Sequence, residues 1–254
     1  MIRYKSPSEI EVMRQGGQIL VRVLAEVVQE SRVGASLKSL DSLAEKLIAG
    51  YNAKPSFKGY RTGESGRAYP ASLCISLNHE VVHGVPDDRV LKQGDVVSLD
   101  LGVFYNGFHT DGAVTIGVGP ISEEAKRLIF VTQGALDLAV GRLEVGVDWG
   151  SVACEIKKYV ESAGFSVVRD LTGHGIGGAL QEDPSLPNFG RPDDGPVLAE
   201  GMVIAVEPMV AAGRAAVEIG LDGFVYQTKD KSLAAHFEHT VAITKDGALV
   251  LTQL

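Results

Sequence analysis

The chain of 254 residues carries a net charge of −8, so no basic excess exists to neutralise nucleic-acid phosphates or an anionic membrane. With 45% hydrophobic and 22% charged residues, it has the composition of a globular protein that buries a sizeable core. No stretch approaches the ~20 uninterrupted apolar residues of a membrane span. Met1-Ile2-Arg3-Tyr4-Lys5-Ser6-Pro7 lacks the apolar centre of a secretory signal, and Cys74 and Cys154 form no C-x-x-C pair. A cytoplasmic protein without a disulfide framework or a cysteine zinc site is expected, with neither nucleic acid nor membrane as a partner.

The first helix is announced by Ser6 as cap, Pro7 at the first helical position and Glu9 completing a capping box. Ile10, Met13, Leu20, Leu24 and Val27 follow at helical spacing. After Val33-Gly34-Ala35-Ser36, a second helix places Leu37, Leu40, Ala44, Leu47 and Ile48 on one face. Strands are predicted over residues 71–77, 96–105 and 109–118. The arrangement then recurs. Ser122 caps a helix bearing Ala125, Leu128, Ile129, Val131 and Leu136, and Val145-Gly146-Val147-Asp148 leads into another. One constant offset carries Leu37 onto Trp149, Leu40 onto Val152, Ala44 onto Ile156, Leu47 onto Tyr159 and Ile48 onto Val160. Predicted strands at 165–171, 202–210, 215–227 and 236–244 complete the second half. Paired helices followed by strands, twice over, predict an α+β fold in which residues 1–120 and 121–254 are pseudo-twofold repeats of one catalytic domain. Two unrelated α+β halves are the alternative.

The chemistry concentrates in a few acids at apolar strands. Val97, Leu99, Leu101 and Val103 alternate onto one face, which leaves Asp100 on the other. A buried carboxylate is costly unless paired or metal-bound; a salt bridge or a solvent face would also account for Asp100 alone. Asp111 follows, and a turn at Tyr105-Asn106-Gly107 would make the two strands neighbours. Glu207 closes the apolar run Met202-Val203-Ile204-Ala205-Val206, held extended by Pro208. Glu238 opens another, and His174 lies between glycines after the 165–171 strand. Four carboxylates and an imidazole form a hard, oxygen-rich set suited to two Mn, Fe, Co or Zn ions, which can together acidify a water.

Two other patterns lead elsewhere. His79-Glu80-Val81-Val82-His83 matches the H-E-x-x-H zinc-protease motif, but that site needs a helix, and β-branched valines followed by Gly84 and Pro86 oppose one. Gly173-His174-Gly175-Ile176-Gly177-Gly178 matches G-x-G-x-x-G, but Pro184 and Pro187 interrupt the helix a dinucleotide site requires.

Over nearly its whole length the chain resembles the type I methionine aminopeptidases of the pita-bread fold. The resemblance is strongest at Lys5-Ser6-Pro7-Ser8-Glu9-Ile10-Glu11-Val12-Met13, from Cys74 to Pro86, at Gly173-His174-Gly175-Ile176-Gly177, at Val206-Glu207-Pro208-Met209-Val210 and at Phe237-Glu238-His239-Thr240. It implies two pseudo-twofold-related halves around a central antiparallel sheet and two divalent metal ions. Asp100 would then be the terminal ligand of one ion, His174 and Glu207 would complete the other, and Asp111 and Glu238 would bridge both. A metal-bridging hydroxide would attack the N-terminal methionine carbonyl of a nascent peptide, Glu207 would accept the proton, and His83 would contact the scissile amide. The resemblance also implies action on chains with a small second residue, as a monomer that associates with the ribosome.

The sequence departs from the family pattern in two places. A second catalytic histidine, preceded by an aromatic residue or Met, is usual where this chain has Leu180-Gln181. Gln181 can donate a hydrogen bond but carries no positive charge, and charge-assisted bonds are roughly twice as strong. The Gly-Tyr-x-Gly-Tyr/Phe-Pro segment is also stretched, with residues 61–68 inserted between Gly59-Tyr60 and Tyr69-Pro70. Tyr60, Tyr69, Cys74, Leu180 and Phe224, the last where the family has an indole, are the expected methionine-pocket residues; plain core packing is the alternative for Tyr69, Cys74 and Phe224. A related pita-bread peptidase cleaving before proline and a catalytically impaired pita-bread binding module are the competing functions.

Overall fold

The computed structural model describes residues 1–61 and 66–253; residues 62–65 of the inserted loop lie outside them. The capping box forms at Ser6, whose hydroxyl accepts from Glu9 N–H while the Glu9 carboxylate accepts from Ser6 N–H at 2.7 Å. It starts α1 (Pro7–Glu30), which is followed by α2 (Leu37–Gly50). Five strands come next: β1 (Lys54–Pro55), β2 (Leu73–Leu77), β3 (Glu80–Val82), β4 (Val96–Tyr105) and β5 (Phe108–Gly117). The second half opens with α3 (Glu123–Val140) and α4 (Trp149–Ser162). It continues through β6 (Ser166–Val167), β7 (Thr172–Gly175), β8 (Glu182–Pro187), β9 (Val203–Val206) and β10 (Met209–Ala211). It ends with β11 (Val217–Ile219), β12 (Tyr226–Thr228), β13 (Ala234–His236), β14 (Glu238–Thr244) and β15 (Gly247–Val250).

The main sheet runs β1-β4-β5-β14-β9-β7-β8, with β2 also on β4 and β15 also on β14. All its pairings are antiparallel. Two three-stranded sheets, β13-β10-β6 and β11-β12-β3, flank it. The β4–β5 hairpin turns through Asn106 and Gly107, both at positive φ (47° and 95°), the two-residue geometry whose twist matches flanking strands. The alternation in β4 then divides the sheet's faces. Val97, Leu99, Leu101 and Val103 join Leu20, Val23 and Val27 of α1 and Leu37 and Leu40 of α2 in one buried cluster. Each such side chain contributes about 1.5–3 kcal/mol by leaving water. A matching cluster packs α3 and α4 against β9 and β14, with Trp149 at its centre. Both helix pairs therefore cover one side of the sheet, and the acids face the other.

The two Val-Gly-x-cap segments are tied down alike. Gly34 N–H bonds to Leu91 O and Gly146 N–H to Leu198 O, each at 2.8 Å. Antiparallel bridges Ser36–Val90 and Asp148–Val197 stand beside them. The caps differ: Asp148 accepts from Ser151 N–H, whereas the Ser36 side chain makes no capping bond.

Several predicted strands are divided differently in the structure. The 202–210 run breaks at Glu207-Pro208, so that β9 lies in the main sheet and β10 in a flanking one. The 236–244 run breaks at Phe237 in the same way, and 215–227 folds into the separate strands β11 and β12. His174 does not follow a strand over 165–171; that segment keeps only Ser166–Val167, and His174 is inside β7. Prolines did not prevent β8, because it is the edge strand of the sheet, where a missing N–H costs no ladder bond.

Gly102, opposite Asp111 in the hairpin register, shows how closely the acid face is packed. A Cβ there would stand 2.7 Å from both Ser56 Cβ and Phe57 Cε1. Gly102→Val is expected to lower the unfolding free energy by about 1–3 kcal/mol through overpacking. Urea denaturation checks this, and an unchanged midpoint would contradict the close approach.

Candidate metal centre and substrate cavity

The five acid and histidine side chains singled out in the sequence come from five consecutive strands of the main sheet. Asp100 is on β4, Asp111 on β5, Glu238 at the start of β14, Glu207 immediately after β9, and His174 on β7. Register brings them level: Gly102 pairs with Asp111, Asp100 and Glu238 both pair with Ala113, His239 pairs with Val206, and His174 with Ala205. Asp111, His174 and Glu238 offer ligand atoms within 4.8 Å of one another, and so do Asp100, His236 and Glu238. His174 Nε2 lies 3.5 Å from Glu207 Oε1.

The surrounding polar groups fix the backbone at Asp111 and Glu207 and the ring of His174. Thr240 Oγ1 accepts from Asp111 N–H at 2.8 Å and donates to Asp111 O at 2.7 Å. Asn188 Nδ2 donates to Glu207 O at 2.9 Å, anchoring the point where the chain passes from β9 to β10. His174 Nδ1 donates to Gly175 O at 2.8 Å, which leaves Nε2 facing the carboxylates with its lone pair.

Electrostatically, the cluster is unbalanced. Among the described residues, only His174 and His236 stand within ion-pair distance of these carboxylates, and no Lys or Arg does. Asp100 Oδ1 and Glu238 Oε1 are buried without a hydrogen-bond partner. Burial first, and then the neighbouring acids, push Asp100 and Glu238 well above the usual carboxylate range; Glu207 is raised likewise by burial and by Asp111. Burial raises Asp111 to about 7. Burial also lowers His83 to about 4 and His236 to about 3, and it lowers His174. The imidazoles are therefore neutral near pH 7, as ligation requires. Buried like charges with no counter-cation are costly, and divalent cations are the partners this donor set suits.

The centre forms one wall of a cavity of about 560 Å³. Its lining includes every residue proposed from the sequence for substrate contact: Tyr60, Tyr69, Cys74, His83, Leu180, Gln181 and Phe224. Tyr69 donates to Gly84 O at 2.8 Å and meets Phe224 edge-on, ring centroids 5.5 Å apart. The insertion leaves its two ends together: Tyr69 N–H bonds to Tyr60 O at 2.8 Å, beside an Arg61–Ala68 bridge. Gln181 is exposed at the opening, its Oε1 accepting from Tyr60 OH at 3.4 Å. His83 occupies the left-handed region (φ 61°), directly after β3, and its ring packs edge-on against Tyr226. The zinc-protease pattern is accordingly not a helical site. Glu80 is taken by Leu77 N–H and Arg89, and His79 by Gln227.

Sequence reasoning missed Phe57, Val82, Leu171, Thr172, Met209, Ile219 and Tyr226 in the lining. It also missed His236, 1% exposed and facing the acids. The period-2 spacing of His236 and Glu238 was the available signal for the latter.

A Metallopeptidase family M24 model matches residues 11–245, and the chain belongs to that family of metallopeptidases. Its similarity within the family is specific. It is 47% identical over 252 residues to a methionine aminopeptidase of Clostridium perfringens, covering 99% of each chain. It superposes on the crystal structure of the Thermotoga maritima methionine aminopeptidase with a TM-score of 0.96 at 43% identity, covering 100% of both. The prolidase from Pyrococcus furiosus shares the fold at a TM-score of 0.79 and 25% identity, with 99% of this chain and 65% of that one covered. The pita-bread fold and membership among the methionine aminopeptidases agree with what the motifs implied. No helix among the described residues is long and apolar enough to cross a membrane.

The raised carboxylates give a pH prediction with a definite sign. Unfolded Asp and Glu titrate near ~4, so the folded, metal-free protein holds more protons above that pH. The contribution of these carboxylates to stability is therefore fully present below about pH 4 and is lost as pH rises through about 7, the value of Asp111. Adding divalent metal at pH 6 should release protons into weakly buffered solution and restore the lost stability. Binding without proton release would contradict this arrangement.

Proposed function

We propose that this protein removes the N-terminal methionine from nascent chains in the cytoplasm, as a single catalytic unit whose centre joins its two halves. The observation that carries the reading is the convergence of the five ligand side chains on one wall of the 560 Å³ cavity. Two divalent ions fit the donor set: Asp100 would serve one, His174 and Glu207 the other, and Asp111 and Glu238 would be shared. Bound there, they would supply Lewis acidity that brings the ionisation of a water toward neutral pH.

The chain's own residues supply the rest. Glu207, at the cavity wall, accepts the proton of the attacking water and passes it to the departing amine. His83 is neutral and lies near His174, where it contacts the scissile amide. Gln181 donates from its amide Nδ-equivalent, Nε2, to the developing oxyanion while Tyr60 holds the amide oxygen. Tyr69, Cys74, Leu180 and Phe224 enclose the methionine side chain, whose thioether is well matched to aromatic edges.

Metal-loaded protein should release methionine from Met-Ala-Ser, and Asp111→Asn should reduce this by about 10²-fold or more. A panel that includes Xaa-Pro peptides separates the readings: cleavage before proline alone favours a prolidase-like specificity, and metal binding without any cleavage favours a binding module. Gln181→His should raise kcat roughly five- to tenfold, since a charged donor adds about 1 kcal/mol to the oxyanion contact. An unchanged kcat with normal metal loading would count against that role for Gln181.

A further inference from the structure

His236 ends β13 at the point where the chain crosses into the main sheet. Its backbone is locked: His236 N–H donates to Thr115 Oγ1 at 2.9 Å, Thr115 Oγ1 donates to His236 O at 2.7 Å, and Ser98 Oγ stands 2.8 Å from the same hydroxyl. The ring is 1% exposed, yet neither Nδ1 nor Nε2 has a hydrogen-bond partner. Nε2 lies 3.7 Å from Glu207 Oε2 and 3.7 Å from Glu238 Oε2. These separations exceed a hydrogen bond and stand just beyond the roughly 3–3.5 Å between neighbouring ligand atoms that metal–nitrogen and metal–oxygen distances near 2.0–2.2 Å give, so a small inward movement of the side chains would bring them onto one ion. Asp100, whose Oδ1 is also orphaned, completes a group with all ligand atoms within 4.8 Å of one another.

We propose that His236 is a direct ligand, through Nε2, of the ion shared by Asp100 and Glu238. The inference rests on the metal centre of the preceding section and adds a residue to it. Without His236 that position has only carboxylate oxygens, a set that suits Mn²⁺ or Mg²⁺; an imidazole shifts it toward Zn²⁺, Co²⁺ or Fe²⁺. The two ions then each hold one histidine, His174 on β7 and His236 on β13.

The test is the proton NMR spectrum of the full protein loaded with two equivalents of Co²⁺ and labelled with ¹⁵N in the histidine rings. Two strongly shifted imidazole N–H resonances are expected, one from each ligating ring. One such resonance would overturn the proposal and leave the His174 site standing. None would overturn both. His236→Gln should remove one resonance and weaken one Zn²⁺ in the binding isotherm by about 10–100-fold, the least a lost ligand should cost given what outer partners contribute. Mn²⁺ binding should change less. Equal isotherms for the folded variant and the parent would reject the ligand role. Should the variant not fold, the resonance count on the parent protein decides the matter.

Discussion

The structure depends on one electrostatic constraint: Asp100, Asp111, Glu207 and Glu238 stand together out of water, and among the described residues no Lys or Arg stands beside them. In a low-dielectric interior, four such charges could not coexist; they would take up protons instead, and the raised proton affinities express that tendency. Among the described residues, the only basic groups within reach are imidazoles held neutral by burial. Neutral nitrogens and unprotonated carboxylates are what a divalent cation selects, so the cost of burying the acids becomes binding free energy once an ion replaces the protons. The backbone carrying these side chains is anchored from behind by Thr115, Thr240 and Asn188.

The sheet solves the geometric half of the problem. Neighbouring strands lie about 4.7–4.9 Å apart, so ligands drawn one from each of five adjacent strands would span too wide an arc on a flat sheet. Twist, together with the transitions at Glu207-Pro208 and at Phe237, brings the outer candidate ligands inward. At both places the chain leaves the hydrogen-bond ladder of one sheet for another, and a candidate ligand stands at the crossing. Pro208 has no N–H to offer and favours an extended residue before it, which suits Glu207 to that crossing. The helices contribute by exclusion: they occupy the apolar face completely, which leaves the opposite face for the acids.

Much of this was legible in the chain because local chemistry and fold agree. Ser6, Pro7 and Glu9 encode a helix start by themselves, and the alternation from Val97 to Val103 assigns Asp100 to the face away from the helices whatever the partner strand. Asn106-Gly107 encodes the hairpin that makes Asp100 and Asp111 neighbours. The illegible parts are those decided by partners distant in sequence. An apolar run such as residues 202–210 looks continuous, since a change of sheet alters the partner and not the residue type. Pro184 and Pro187 argue against a strand until β8 is known to be an edge. His236 was hidden for a related reason: its backbone is held by Thr115, 121 positions away, and its spacing from Glu238 is a weak signal where the chain changes sheet between the two.

The cavity divides into regions under different constraints. At the metal wall, moving any carboxylate changes the balance of the whole buried group, so geometry there admits little variation. Around Gln181 the restraints are weaker. Its side chain is exposed, it is tied by one long bond to Tyr60, and Tyr60 opens the inserted segment of residues 61–68. Yet that segment returns to pair Tyr69 with Tyr60, and Tyr69 is fixed independently by Gly84 and by Phe224. The insertion thus starts and ends at a closed base, and Arg67 lies across Phe224 with its guanidinium 4.8 Å from the ring centroid. In the proposed reaction the departure at Gln181 acts on the oxyanion contact, while the insertion reaches the methionine subsite through the Arg67 cation over Phe224.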